Sequence, residues 1–153
     1  MKLRKSAFVF IIVFIGALLL PAGCGKTINR ALPEQPVEFH TGTFVNPSNA
    51  EDSFRSIEYN KRIYIPFGAL NGSLNDKDVG ECLGYIVQDG VKMKDVIVCL
   101  LSDDPESNYL ILYDTVGFME SPFFYRAVDT VNKEIKIPSF ISDLDYEFWK
   151  QSD

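Results

Sequence analysis

Apolar and polar residues alternate in short runs along most of the chain after residue 36. The first run, at 37–45, has an apolar residue or a threonine at every second position, which predicts a strand with a bend at Gly42. The next two runs, at 54–59 and 62–67, are rich in Ile, Tyr and Phe. Together they predict a hairpin that turns at residues 60–61.

The middle of the chain continues this strand pattern. Further strands are predicted at 83–87, 96–101, 109–114, 123–129 and 135–138. The run at 96–101 is apolar on both faces, which is typical of a central strand, and the polar segment 102–108 turns it back into the next strand. Because proline has no backbone N–H to donate, Pro66 predicts that its strand ends there or lies at a sheet edge.

Two short helices are also predicted. Asn75 followed by Asp78 is typical of a helix N-cap and predicts one helical turn at 76–79. Near the C-terminus, Ser142 followed by Asp145 predicts a capped helix that covers one end of the sheet. The residues spaced to face inward there are Ile141, Leu144, Phe148 and Trp149. The predicted fold class is therefore mainly β: an antiparallel sandwich or a small barrel with one or two short helices, including one at the C-terminus.

The first 24 residues have the layout of a secretory signal. Lys2, Arg4 and Lys5 are basic, residues 7–20 are apolar almost without interruption, and small residues lead into Cys24. The apolar run is shorter than the roughly 18 to 20 residues of a membrane-spanning helix, which favours cleavage. The alternative, an uncleaved anchor, would place the domain in the same compartment.

The segment Leu20-Pro21-Ala22-Gly23-Cys24 resembles the lipobox of bacterial lipoproteins. In that family the cysteine receives a diacylglycerol, with acyl chains such as palmitate, and becomes the first residue of the mature chain. The resemblance implies lipid attachment at Cys24, a signal peptide at 1–23 and a location on the extracytoplasmic side of the cell membrane. One residue departs from the pattern, because Pro21 stands where the family usually has leucine and Leu20 lies one position further out.

Without residues 1–23 the 153-residue chain retains 130 residues, a common size for one domain. Residues 24–36 carry the lipidated cysteine and a polar linker, and residues 37–153 form the predicted globular domain. Three of the 15 basic residues and none of the 21 acidic residues lie in the signal, which leaves a net charge near −9. Such a surface repels phosphate backbones and anionic lipid heads, so we expect no nucleic-acid partner and membrane contact through the lipid anchor alone.

Cys82 and Cys99 are the two cysteines that remain after Cys24. Outside the cytoplasm, thiol pairs tend to be oxidised. A two-residue turn at Gly90 and Val91 would place Cys82 directly opposite Cys99 in a hairpin, within disulfide reach. The alternative is two separate buried thiols, which is favoured if the charged run 92–95 forms a longer loop.

The candidates for catalysis and metal binding are weak. His40 is the single histidine and has no accompanying serine motif, so we interpret it as a solvent-facing strand residue. Acidic clusters at 103–106 and 143–147 lack the spacing of a calcium loop and are explained by turn chemistry and by a solvated helix face. No catalytic residue, metal or cofactor is therefore predicted.

The stretch 117–126 is the strongest candidate for a binding surface. It places aromatic residues, a methionine and an arginine around a proline-marked loop, and these residue types are enriched where proteins contact partners. The candidate contact residues are Phe118, Met119, Phe123, Phe124, Tyr125 and Arg126. The alternative is core packing, with Phe123 and Tyr125 on one strand face and Phe124 on the other.

These features favour a membrane-anchored lipoprotein of the bacterial cell envelope that acts as a non-enzymatic binding or interaction module, with a protein or a cell-wall component as partner. An envelope hydrolase or metal-dependent enzyme, with a site that assembles only in the folded chain, is one alternative. An inhibitor or immunity-like lipoprotein that blocks an incoming enzyme is another.

Overall fold

The structure is a computed structural model that describes residues 31–115 and 122–150. These residues form strands β1 (Val37–His40), β2 (Gly42–Asn46), β3 (Asn49–Tyr59), β4 (Arg62–Leu70), β5 (Val79–Gln88), β6 (Val91–Leu101), β7 (Tyr109–Asp114), β8 (Phe123–Ala127) and β9 (Ile141–Asp143), with 3-10 turns at Val128–Thr130 and Glu147–Lys150. The prediction of a mainly β protein is confirmed. Within the described ranges, no helix has the length and apolar character needed to cross a membrane.

All the described strands belong to one sheet in the order β1-β5-β6-β7-β8-β4-β3-β2, with β9 paired to β4. The β1–β5 pair is parallel and the other pairs are antiparallel, so the sheet is mixed. β1 and β2 lie at opposite ends of this order, yet only Thr41 separates them in sequence. Because one residue spans only ~3.8 Å, the two ends must approach each other at Thr41. The sheet therefore curls into a half-barrel.

Alternate residues of the strands build two hydrophobic cores, one on each face of the sheet. The inner core, inside the curl, includes Tyr64, Val98, Leu110 and Tyr125. The outer core, covered by the C-terminal segment, includes their sequence neighbours Ile65, Cys99, Ile111 and Phe124. Both cores are formed by residues between 32 and 149, so a chain that begins at residue 24 retains them.

The central strands follow the sequence predictions closely. β6 pairs with strands on both sides, as its two apolar faces predicted, and β7 has the predicted bounds. The predicted strand at 135–138 is wrong, because this segment crosses the outer core without pairing, with Ile135 packed against that core.

Both helix predictions are wrong in part. At 76–79 the chain forms a turn, in which the backbone N–H of Asp78 donates to the Asn75 carbonyl (2.9 Å), and Val79 already belongs to β5. Ser142 caps no helix, because it lies in β9 opposite Ala69. The C-terminal helix is reduced to the 3-10 turn Glu147–Lys150. Burial of Ile141, Phe148 and Trp149 agrees with the predicted inward spacing.

Pro66 lies inside β4, which neither ends there nor lies at an edge of the sheet. The prediction was wrong because β4 changes partners along one side. β3 pairs with it as far as Tyr64, and β9 pairs with it only from Gly68. Between these points no strand pairs with that side of β4, so the absence of an N–H at Pro66 costs no hydrogen bond of the sheet. The Pro66 carbonyl accepts a hydrogen bond from Trp149 Nε1 (2.9 Å).

The β5–β6 hairpin holds the Cys82–Cys99 disulfide, although its turn differs from the predicted one. The loop is Asp89-Gly90, both with positive φ (51° and 77°), as a type I′ turn requires. If the two strands paired regularly from that turn onward, Cys82 would lie opposite Ile97. Bulges next to Tyr85 and Cys82 shift the register, so that Cys82 lies opposite Cys99.

Candidate functional site at the open end of the half-barrel

Arg62 closes one end of the half-barrel. Its guanidinium donates to both carboxylate oxygens of Asp129 (2.8–3.2 Å) and to the carbonyls of Glu106 (2.7 Å) and Ser107 (3.0 Å). The Tyr64 hydroxyl, inside the curl, donates to the same Ser107 carbonyl (2.7 Å). The hydrogen bonds from Arg62 hold the pKa of Asp129 below its usual value. This end is therefore filled by hydrogen-bonded side chains and loop backbone.

At the opposite end the curl opens into a concave site of about 280 Å³, which we call the mouth groove. Its floor consists of inner-core side chains, among them Ile57, Ile86 and Leu112. Its rim carries three large apolar side chains that are 37–38% exposed, Met93, Phe123 and Tyr146. Exposed apolar side chains around an apolar concavity are typical of a binding site.

Arg55 and Tyr125 are two of the five side chains at the mouth groove that can donate a hydrogen bond, with Thr41, Gln88 and Tyr146. Arg55 Nη1 donates to the side-chain oxygen of Gln88 (3.0 Å) and links β3 to β5 where the sheet ends approach. Tyr125 is 6% exposed, and in the described part of the chain its hydroxyl has no hydrogen-bond partner. Burial raises the pKa of Tyr125, and the positive charge of Arg55 acts in the opposite direction. Like any tyrosine hydroxyl, with an ordinary pKa of about 10, it is protonated at neutral pH and can donate a hydrogen bond.

The predicted contact residues are divided between the two faces of β8. Phe123 and Tyr125 line the mouth groove. Phe124 is buried in the outer core, and Arg126 is buried on the same face, with its guanidinium over the rings of Phe67 and Trp149. The core-packing alternative therefore describes Phe124, and it also describes the ring of Tyr125, which belongs to the inner core. The predicted contact residues Phe118 and Met119, like the lipid-attachment residue Cys24, lie outside the described residues.

Sequence reasoning missed the groove residues that come from other strands. Arg55, Gln88, Met93 and Tyr146 lie far apart in sequence, and no motif connects them. The available signal was indirect. Arg55 shares the alternation of Ile57, which places a charged residue on the same strand face as a core residue.

A second concavity, the polar cleft, lies between the β6–β7 loop and residues 135–140, with a volume of about 480 Å³. Asp104 accepts hydrogen bonds there from the Tyr109 N–H (2.7 Å) and from Asn108 Nδ2 (3.2 Å), and burial raises the pKa of Asp104. These bonds agree with the interpretation of 103–106 as turn chemistry. His40 is exposed at the end of β1.

Across residues 31–115 and 122–150, no three His, Cys, Asp or Glu side chains are grouped as a metal ion would require. Of these two concavities, the mouth groove has an apolar floor ringed by exposed apolar side chains, so its lining points most directly to a ligand. Comparison of the chain with protein-family models, with curated proteins and with solved structures finds no match.

Proposed function

We propose that this chain is a lipid-anchored extracytoplasmic lipoprotein whose domain is a non-enzymatic binding module. In this proposal the lipid on Cys24 holds the protein at the membrane, and the mouth groove takes up an apolar group of the ligand. The observation that carries the binding role is the difference between the two ends of the half-barrel. The Arg62 end is filled, whereas the groove end exposes Met93, Phe123 and Tyr146 around an apolar floor.

The course of β1 supports a groove that opens away from the anchor. β1 runs toward the groove, and the chain reaches the groove at Thr41. The linker that precedes Val37 therefore joins the domain farther from the opening. Leu32 packs against the outer core, so the linker is already held to the domain at that point. A ligand would then approach from the aqueous side.

The lipid anchor predicts that Cys24→Ser abolishes acylation. Cells that express the full chain are labelled with an alkyne analogue of palmitate, and the purified protein is examined for the label. The unmodified chain should be labelled and Cys24→Ser should not, because the thiol is the attachment point. Cys82→Ser serves as the matched control and should be labelled like the unmodified chain. Equal labelling of all three proteins would contradict the anchor.

The binding role predicts that the mouth groove takes up a neutral apolar dye. Residues 24–153 with Cys24→Ser should bind Nile red saturably at one site. Phe123→Asp should weaken this binding at least tenfold, because a carboxylate on the rim stays hydrated and opposes apolar burial. Ile63→Asp is the control, since Ile63 is an equally exposed apolar residue (43%) outside the groove. Undiminished binding by Phe123→Asp, or no dye binding, would contradict the proposal.

A further inference from the structure

The geometry of the mouth groove points to the chemical class of its ligand. We infer that the groove binds an unbranched alkyl carboxylate, with the hydrocarbon chain on the apolar floor and the carboxylate between Arg55 and Tyr125. The inference rests on the proposed binding role of the groove and adds the ligand class to it. Three observations support it: Arg55 has no carboxylate partner in the described ranges, the Tyr125 hydroxyl lies at the groove, and the floor is small and apolar.

Arg55 is a cation placed at the edge of an apolar site without a carboxylate partner. It forms no ion pair with the acidic residues in the described ranges, although acidic residues outnumber basic ones. Its bond to the neutral Gln88 amide occupies one nitrogen and holds the guanidinium at the groove. The remaining N–H groups form a planar fork that matches a carboxylate. The charge at this point therefore favours an anionic head group.

Tyr125 supplies a second donor beside the same floor. Its ring is part of the inner core, and its hydroxyl is without a partner in the described part of the chain. In the described ranges the Tyr125 hydroxyl is not buried away from solvent, so water can hydrogen-bond to it at the groove, and a ligand carboxylate would replace that water as a charged acceptor. A tyrosine hydroxyl has an ordinary pKa of about 10 and so is protonated at pH 7, and burial shifts the pKa of Tyr125 further upward.

The floor favours a hydrocarbon chain over a peptide. Ile57, Ile86 and Leu112 present no polar atoms from their side chains, so the amide groups of a peptide would lose hydrogen bonds to water without replacement. The volume of about 280 Å³ lies just below the range for drug-sized sites, roughly 300–1,000 Å³, and so suits a slender ligand. Met93 on the rim is flexible enough to pack against chains of different length.

The test uses straight-chain carboxylates from hexanoate to tetradecanoate, with the alcohol of each length as the matched ligand. Residues 24–153 with Cys24→Ser, first shown to unfold cooperatively in urea, are loaded with Nile red, and displacement is measured at pH 7. Affinity should rise about fourfold for each methylene until the chain outgrows the groove. Each carboxylate should bind at least tenfold more tightly than its alcohol.

Two variants separate head-group recognition from apolar binding. Arg55→Gln should lose the preference for carboxylate over alcohol and keep the affinity for alcohols. Tyr125→Phe should weaken carboxylate binding about fivefold and alcohol binding less, because a hydrogen bond to a charged acceptor is the stronger one. Lys77→Gln removes the same charge from an exposed turn and should behave like the unmodified chain. Because the alcohols report apolar binding in every variant, a folding defect would be recognised by its loss.

The outcomes that overturn the inference differ from those that overturn the proposed function. Dye binding with equal affinity for carboxylates and alcohols would refute the carboxylate site and leave the binding role intact. Displacement by peptides that end in an apolar residue, but by no alkyl carboxylate, would identify a protein ligand and refute the inference. Absence of dye binding would refute both.

Discussion

Gly84→Ala is expected to destabilise the protein by about 3 kcal/mol or more, because it forces β1 away from β5. A β-carbon at position 84 would lie 1.8 Å from the carbonyl oxygen of Val37 and 2.6 Å from the Val37 carbonyl carbon and nitrogen. All three are backbone atoms, so no side-chain rotation relieves the clash. The parallel pair between Val37 and Gly84 therefore requires a residue without a side chain.

The cost follows from what β1 contributes. β1 provides Phe39, which is 1% exposed in the inner core, and loss of a buried phenylalanine side chain costs ~3–5 kcal/mol. Its displacement also breaks the hydrogen bond from the Thr41 N–H to the Val87 carbonyl (3.0 Å), next to the mouth groove. Urea unfolding of residues 24–153 followed by circular dichroism measures the loss. Hydrogen exchange at β1 amides should rise in the same variant.

Gly42→Ala is the matched control. A β-carbon at Gly42 meets only the Ser56 hydroxyl oxygen at 3.2 Å, and that side chain can rotate away. Its change in unfolding free energy should stay below about 1 kcal/mol, since alanine also reduces the freedom of the unfolded chain. If Gly84→Ala were as stable as Gly42→Ala, β1 would not lie on β5 in solution.

The strands were predictable because period-two alternation is a local property of the sequence. The placement of Phe124 opposite to Phe123 and Tyr125 follows from it directly, whereas the central position of β6 follows from a run that is apolar on both faces. The conformation of the hairpin turn was harder to predict from the sequence. At the disulfide, the predicted pairing of Cys82 with Cys99 depends on bulges that no residue in the hairpin marks.

The mouth groove was only partly predictable, since it depends on how the sheet curls. Phe123 and Tyr125 were predicted contact residues because aromatic residues next to a proline-marked loop are a local signal. Arg55 and Tyr146 reach the same site only because the ends of the sheet approach each other and the C-terminal segment crosses the outer core. Such long-range placement is not encoded in any one stretch of the chain. The C-terminal helix was wrong for a similar reason, because pairing of β9 with β4 outweighs a local cap signature.

The C-terminal 3-10 turn is held to the outer core by Trp149. Its indole ring packs edge-on against Phe67 (5.5 Å between centroids) and Phe148 (4.9 Å), and its Nε1–H donates to the Pro66 carbonyl. The guanidinium carbon of Arg126 lies 4.9 Å from the same ring. Trp149 is therefore the residue through which the last described turn contacts β4 and β8.

The contact between the C-terminal turn and β8 depends strongly on the indole ring of Trp149, because that ring lies against the buried charge of Arg126. Its nitrogens donate to the Thr130 hydroxyl (2.8 Å) and carbonyl (2.7 Å), and it forms no ion pair with a carboxylate in the described ranges. Burial lowers the pKa of Arg126, because its charge has lost part of its solvation by water. The faces of Phe67 and Trp149 offset part of that loss, by ~0.5–2 kcal/mol for each cation–π contact.

Trp149→Ala is accordingly expected to lower the unfolding free energy by ~3–5 kcal/mol, because both the aromatic burial and the cation–π contact with Arg126 are lost. Trp149→Phe retains a ring but not the bond to Pro66, and should cost about 1–2 kcal/mol. Lys150→Ala is the adjacent control. Its ion pairs with Asp145 and Glu147 are exposed and 3.5–3.6 Å long, so it should cost less than ~1 kcal/mol. Urea unfolding by circular dichroism measures all three, and equal stabilities for Trp149→Ala and Lys150→Ala would mean that the C-terminal segment does not cover the outer core.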